Sequence, residues 1–294
     1  SSTATTSTVT DASQSDLVTG NNGNIVLVAG GSVTLNDGVD AVSPVEDNTD
    51  GKAISAHGSG SILVQALGAT SDVTILSDIL SASGQISLKA ARHISLSADA
   101  DVSTASTGTV SVDAEGGDLT MSGTASITAT NSSVRLNASG SVTLGQVSAT
   151  SVSVVADTGA IVNAAGSTKN VTATNLRLAA DDAIGAADRH LTTNVATLTA
   201  LSTGTTTAGI YLTQDSAVTV DTVTVSVTEF SSTATSSTVT DANQSDLVTG
   251  NNGNIVLVAG GSVTLNDGSA NVGLAGLAGK AVSANAAGTR PGTV

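Results

Sequence analysis

The chain has 294 residues, of which 39% are hydrophobic but only 1% aromatic, and nine basic against 24 acidic side chains give a net charge of −15. This charge argues against nucleic acid as a partner, because phosphate recognition needs a basic surface. Cysteine is absent, which excludes a disulfide framework, a thiolate nucleophile and cysteine-ligated metal. No apolar run of about 18 residues occurs, so the sequence predicts no membrane-spanning helix.

The first part of the chain combines a polar segment, two strand patterns and an acidic loop. Residues 1–22 are polar, and GNIVLVAGGSVTLNDG follows with aliphatic residues at alternate positions. Residues 39–51 break the pattern with Pro44 and four acids, which predicts a loop extruded from the fold. We expect this loop to be solvated, with a calcium site as the alternative, because carboxylate oxygens are ligands that Ca²⁺ prefers. The candidate calcium ligands are Asp40, Glu46, Asp47 and Asp50.

Between residues 60 and 144 a short pattern with aliphatic ends recurs at a fixed step of 24 residues, at 62–64, 86–88, 110–112 and 134–136. A second pattern recurs within each step at Val73, Ile94, Leu119 and Val142, and a third apolar position at Ile79, Val102, Ile127 and Val147. A fixed step of this size indicates a repeat architecture. Three short strands per repeat of about 24 residues predict an all-β fold, a parallel β-helix or β-solenoid.

The alternation within each strand assigns residues to the inside or the outside of the repeat. We expect Ile62, Ile86, Val110 and Val134 to stack in one interior column. The middle residues, among them Ser87, Ser111 and Arg135, should face solvent, so Ser111 should tolerate a charge; Leu63 is the exception. A single repeat buries too few aliphatic side chains to offset about 1–2 kcal/mol of backbone entropy per residue. Stability must therefore come from stacking of neighbouring repeats.

Beyond residue 144 the step drifts, and residues 181–185 and 188–190 read as turns. The strongest strand signal in the chain is residues 216–227, in which Val recurs at alternate positions. Residues 228–230 end it, and they include the only phenylalanine, Phe230. We place this strand in the same stack as the others.

A second, longer repeat is present. Residues 231–268 repeat residues 1–38 with two differences, Thr6 against Ser236 and Ser13 against Asn243. The similarity returns at 279–284 against 51–56. We divide the chain into one module, 1–230, with 1–22 as its polar junction, and the start of a second module, 231–294. A module corresponds to nearly ten repeats of 24 residues. Because the copies agree more closely than folding demands, we expect the chain to belong to a longer tandem array, joined in one rod or by end-to-end stacking of copies.

Several segments, GNIVLVAGGSVTLNDG, GQISLKAARHISLSAD, SGSVTLGQVSAT and AGIYLTQDSAVTV, share the form G-x-I-x-L-x-A-x-G-x-V-x-L. This form resembles the haemagglutinin-type repeats of very large bacterial exoproteins and adhesins, as in filamentous haemagglutinin. The resemblance covers most of residues 23–220. It implies a right-handed parallel β-helix, export to the bacterial surface or the medium, and an adhesive or structural role.

The enzymatic alternative is a polysaccharide lyase or hydrolase built on a β-helix, which needs clustered carboxylates and a base. Residues about 24 apart should stack on one face, so Asp113 should follow Lys89 and Asn137 should follow Asp113. The other candidates are Arg92, His93, Asp99, Asp101 and Glu115. A sugar groove normally uses aromatic platforms, and these are missing. The three histidines are unrelated by the 24-residue step, so we expect no metal centre.

We therefore expect a structural or adhesive repeat protein without enzymatic activity or cofactor, outside the cell or on the bacterial surface. Its partners would be copies of itself and host or neighbouring-cell surfaces or glycans, with no nucleic acid. A carbohydrate-binding or carbohydrate-degrading β-helix is the alternative. A string of immunoglobulin-like domains would show a period near 100 residues and an aromatic core, and the 24-residue step contradicts it.

Overall fold

A computed structural model describes residues 16–37, 51–204, 208–250, 252–268 and 280–284. Within these ranges the protein is all-β, with no helix. The strands are β1 (Leu17–Thr19), β2 (Ile25–Ala29), β3 (Val33–Leu35), β4 (Lys52–Ala56), β5 (Ile62–Ala66), β6 (Val73–Ile75), β7 (Asp78–Ser81), β8 (Ile86–Ala90), β9 (Ile94–Leu96), β10 (Asp101–Thr104), β11 (Val110–Ala114), β12 (Leu119–Met121), β13 (Ser126–Ala138), β14 (Val142–Leu144), β15 (Gln146–Ala156), β16 (Ile161–Asn163), β17 (Val171–Ala180), β18 (Leu191–Ser202), β19 (Gly209–Gln214), β20 (Val218–Val220), β21 (Val223–Phe230), β22 (Ser236–Gln244), β23 (Leu247–Thr249), β24 (Asn254–Ala259), β25 (Val263–Leu265) and β26 (Val282–Ala284).

The chain passes through three stacks of parallel strands in a fixed order, an arrangement consistent with a β-solenoid. Face A contains β1, β4, β7 and β10, and face B contains β2, β5, β8 and β11. Each of the long strands β13, β15, β17 and β18 crosses from face A to face B. Face C is a separate sheet of β3, β6, β9, β12, β14 and β16. One circuit through the three faces is a coil.

The predicted columns are confirmed. Ile62, Ile86, Val110 and Val134 are direct neighbours on face B, and all four are fully buried. The second pattern stacks on face C from Val73 to Val142. The third stacks on face A from Ile79 to Val147. The core is thus a continuous set of aliphatic columns, which does not require aromatic side chains.

Coil length changes where the corner between faces A and B changes. After Val134 the next residue in the face B column is Val152, a step of 18 residues, and Leu176 and Leu198 follow. In this region the strand runs on through the corner, as in β15, so no separate turn residues are needed. The alignment of β13 with β15 shifts between Ala129 and Ser133, which absorbs the difference in corner length.

A column of glycines precedes face B. A Cβ atom built on Gly84 would lie 2.0 Å from the carbonyl oxygen of Gly60, and one on Gly108 would lie 2.4 Å from that of Gly84. Gly60 has the same relation to Gly23, at 2.1 Å. These contacts are shorter than any side chain tolerates, so the close stacking of coils at this corner requires glycine at each step.

One predicted strand does not belong to the stack. The chain leaves face B after Val220 and returns at Leu247, and between them β21 and β22 form an antiparallel hairpin. The exit and the return lie close together, because Asp221 N–H donates to Leu198 O and Ala200 N–H donates to Asp246 O. The alternating valines of residues 216–227 are therefore divided: Val218 and Val220 lie in the stack, whereas β21 carries the rest.

The second copy continues the stacks: β23, β24 and β26 each lie one face ahead of their first copies β1, β2 and β4, whereas β25, the copy of face C strand β3, pairs with β20 on face B. Ile25 heads the face B column of Ile62 and Ile86. Its copy Ile255 instead ends the face C column, which runs Val33, Val73, Ile94, Leu119, Val142, Ile161, Ile184, Ile210, Ile255. Likewise Leu17 lies on face A, and its copy Leu247 lies on face B. The expectation of nearly ten coils per module is wrong: a module spans eight coils and one further face, because its coils vary in length and the hairpin takes up residues outside the stack.

Candidate functional site: the hairpin and the outer surface of face B

The hairpin, Val223–Gln244, lies lengthwise over the outer surface of face B. Its strand β21 has alternating burial, with Val223, Val225 and Val227 each at most 3% exposed. Glu229 continues this inward-facing row and is also buried. Its hydrogen bonds reach from the coil of Ser87 to the coil of Thr199, a span of six successive coils of face B, and Phe230 lines one cavity with Leu63 of the preceding coil.

Outward hydroxyl groups of the coils hold the backbone of β21. Phe230 N–H donates to Ser87 Oγ at 2.8 Å. Thr109 Oγ1 donates to Thr228 O at 2.7 Å, and Thr228 N–H donates back to Thr109 Oγ1 at 2.9 Å. Ser87 and Ser111 are fully buried. The prediction that these middle residues face solvent is therefore wrong, because a segment more than a hundred residues later covers them.

An ion pair between half-buried Lys89 and buried Glu229 lies beneath the hairpin. Lys89 Nζ donates to Glu229 Oε2 at 2.6 Å, and Ser111 Oγ donates to Glu229 Oε1 at 2.8 Å. Burial alone would raise the pKa of Glu229, but the hydrogen bonds from Lys89 and Ser111 outweigh burial and hold the pKa below its usual value. Both carboxylate oxygens are paired, so Glu229 is bound as a carboxylate.

Two arginines hold the other strand of the hairpin. Arg135 Nε donates to Asp241 Oδ1 at 3.0 Å, and Arg177 Nε donates to the carbonyl oxygen of Ala242 at 3.1 Å. Burial lowers the pKa of Arg177; the charge of Arg135 adds to this, and Asp241 opposes it. At the end of β22, Gln244 donates to Leu178 O at 2.8 Å. Arg135, expected to face solvent, thus serves as an attachment point for the hairpin.

The one apolar residue among the expected outward positions also finds its explanation here. Leu63 is 1% exposed, and it lines one cavity together with Phe230, Lys89 and Glu229. The only phenylalanine of the chain, itself 3% exposed, covers this end of the surface. The exception to the polar pattern at Leu63 was therefore the signal in the sequence for a covering segment.

A second surface, on face A, is open. Thr128, Ser148 and Thr172 are direct neighbours on three successive coils. They line a groove together with Thr130, Thr150 and Thr174, all exposed. Lys169 lies at its edge and forms an ion pair with Asp215. This groove presents two rows of hydroxyl groups to solvent and will be called the hydroxyl groove.

The candidate residues of the enzymatic alternative are dispersed. Asp113 does stack on Lys89 and beneath Asn137, whose amide donates to Asp113 at 2.9 Å. Lys89, however, is paired with Glu229 under the hairpin. Asp101 lies on face A, and exposed Asp99 and Glu115 lie in the connections before β10 and after β11.

Arg92 and His93 lie before face C and form their own contacts. Arg92 makes a two-fold contact with Asp72 at 2.8 and 2.5 Å, and this contact lowers the pKa of Asp72 to about 2. The imidazole of His93 accepts from the Asp118 N–H at 2.9 Å. The predicted set therefore does not assemble into one constellation.

Asp40, Glu46, Asp47 and Asp50 lie outside the residues that the structure describes. Within the described ranges no group of three or more His, Asp or Glu side chains is arranged to hold a metal ion. The same ranges contain no helix of the length and hydrophobicity needed to cross a membrane. Comparisons of the chain with protein-family models, with curated proteins and with solved structures found no match.

Proposed function

We propose that the protein is a non-enzymatic structural and adhesive repeat protein, a rod of tandem modules on the bacterial surface or in the surrounding medium. In this proposal the stacks form a right-handed parallel β-helix with three short strands per coil, of the haemagglutinin type that the sequence resembles. The observation that supports the proposal is the position of the second copy at the end of the stacks. β23, β24 and β25 continue the parallel stacks of the first module without interruption.

The rod is tested by its length. Chains with one, two and three copies of residues 17–246, each completed by residues 247–294, should lengthen by about 40 Å per module, because coils rise about 4.8 Å each. Small-angle scattering and electron micrographs give this increment directly. Separate globules on a string, or an increment unrelated to the strand spacing, would contradict the proposal.

We assign the adhesive contact to the hydroxyl groove. Its two rows repeat on successive coils, so a partner with a repeating chain of hydroxyl groups, such as a glycan, meets the same donors and acceptors several times, which raises avidity. Replacing Thr130, Thr150 and Thr174 by Val should abolish binding to a glycan array. The matched control replaces Thr74, Thr120 and Thr143, which occupy outward positions on face C, by Val. Loss of binding in the control alone would reject this assignment.

A further inference from the structure

The one-face advance of the second copy sets how hairpins are displayed along an array. Residues 17–38 and 247–268 are identical in sequence, yet they occupy different faces. The first copy begins on face A and the second on face B, because the module contains eight coils and one further face. Sequence identity therefore does not preserve orientation around the axis of the stack.

The position of the hairpin is fixed relative to its own module. It leaves the stack beside Leu198 and covers face B through Ser87, Thr109, Ser111 and Arg135. All of these anchors belong to the preceding coils of the same module. β26, the copy of face A strand β4, lies on face B, so the one-face advance is present again after β25. A module that keeps this advance places its own hairpin one face later as well.

We propose that an array of these modules carries its hairpins in a helical row, one on each of the three faces in turn, and that the fourth hairpin returns to the face of the first. This inference rests on the proposed function, since it takes the modules to continue in tandem. Three modules comprise 25 coils, or about 120 Å of rod at the strand spacing. A flat partner surface would then contact a hairpin only at every third module. The faces that no hairpin covers would also change direction around the axis from one module to the next.

The one-face advance of the second copy can be tested in this chain by engineered disulfides, because the chain has no cysteine of its own. Thr213 and Val258 are direct outward neighbours in parallel strands, and a separation of one strand spacing suits a disulfide. Thr213→Cys with Val258→Cys should cross-link under mild oxidation. Val258 is the copy of Val28, which lies on face B beside Gln65. If the module held a whole number of coils, Val258 would also lie on face B, and its neighbour in the preceding coil would be Leu201. A cross-link in the Leu201→Cys, Val258→Cys variant, and none in the first, would overturn the inference.

The helical row itself is tested in the three-module chain, imaged by electron cryo-microscopy. The expected result is three ridges on three different faces, each about 40 Å further along the axis. Three ridges on one face would overturn the inference while leaving the rod intact. An image without a continuous rod would instead reject the proposed function, so the two failures are distinguishable.

Discussion

Ser111 and Glu229 are joined by a hydrogen bond of 2.8 Å across 118 residues of sequence, with the serine hydroxyl as the donor. The serine is the second residue of β11, and the carboxylate belongs to the residue before the last of β21. This contact makes an outward residue of the stack part of a buried interface. The consequences of that burial can be measured.

Replacing Ser111 by Asp should release the hairpin. The new carboxylate would be buried against Glu229, and two like charges in a site shielded from water repel strongly. Hydrogen exchange at the amides of β21 should become fast, and the melting temperature should fall. The control is Ser95→Asp at the middle position of β9, which is only half-buried. Equal exchange in both variants would place Ser111 at an open surface.

Acidification should loosen the hairpin through Glu229. The pKa of Glu229 is lowered in the folded protein from its usual 4.5. The folded state therefore binds fewer protons, and the contribution of the pair is complete above about pH 4.5 and lost as pH falls through the lowered pKa. Exchange of the β21 amides should accelerate in that range after correction for intrinsic rates. In Glu229→Gln this step should vanish, whereas the Asp72–Arg92 pair still titrates towards pH 2. A step of unchanged size in the variant would refute the role of Glu229.

Truncation of Leu63 should be far more harmful than truncation of a leucine nearby. Leu63→Ala removes a side chain that is 1% exposed beneath the hairpin, and we expect a loss of about 2–4 kcal/mol in the free energy of unfolding. Leu67 is 56% exposed, so Leu67→Ala should stay within about 0.5 kcal/mol. Chemical denaturation of both variants provides the comparison. Similar losses would show that the hairpin does not cover Leu63.

The glycine column predicts a steric effect at one step. In Gly84→Ala the new methyl group would lie 2.0 Å from Gly60 O, so neighbouring coils must separate and the melting temperature should fall. Gly30→Ala is the matched control, because a Cβ atom there has no heavy atom within 4 Å. If both substitutions leave the melting temperature unchanged, the coils are not stacked as closely at this corner as the structure indicates.

A charge in the column of Val110 should disrupt the coils on both sides. Val110 is fully buried among aliphatic neighbours, and an unpaired carboxylate there has no compensating hydrogen bond. Val162 lies at the outward position of β16 and is only half-buried, so Val162→Asp introduces the same group at the surface. Thermal unfolding should show a large loss for Val110→Asp and a small one for Val162→Asp. Comparable losses would mean that the inward and outward positions have been exchanged.

The interior of the fold was readable from the sequence because stacking imposes a period. The positions of Ile62, Ile86 and Val110 follow from burial alone, since each must lie over the previous one. The candidate site was not readable in this way. The valines of β21 alternate as in any half-buried strand, and nothing local distinguishes a strand that joins the stack from one that lies across it. Leu63 was the only local sign of the covering segment.

The orientation of the second copy was hidden for a different reason. Ile25 and Ile255 have identical neighbours in sequence, and their positions around the axis depend on the summed lengths of all the coils between them. The short step from Val134 to Val152 and the departure of the chain at Asp221 both alter that sum. Hydrophobic patterning predicts neither feature. The same residues are buried whether the strand runs directly through a corner or the corner is formed by a separate turn.

The length of the hairpin constrains how such a protein folds and evolves. Coils that touch only their neighbours can form one after another, but Phe230 reaches Ser87 across 143 residues, so the hairpin docks only after six coils are in place. Loss or gain of one coil between Ser87 and Arg177 would move Lys89 away from Glu229 by one strand spacing, and both charges would lose their partner. The contacts of the hairpin therefore fix the number of coils beneath it. Duplication of a whole module preserves these contacts, whereas duplication of a single coil breaks them.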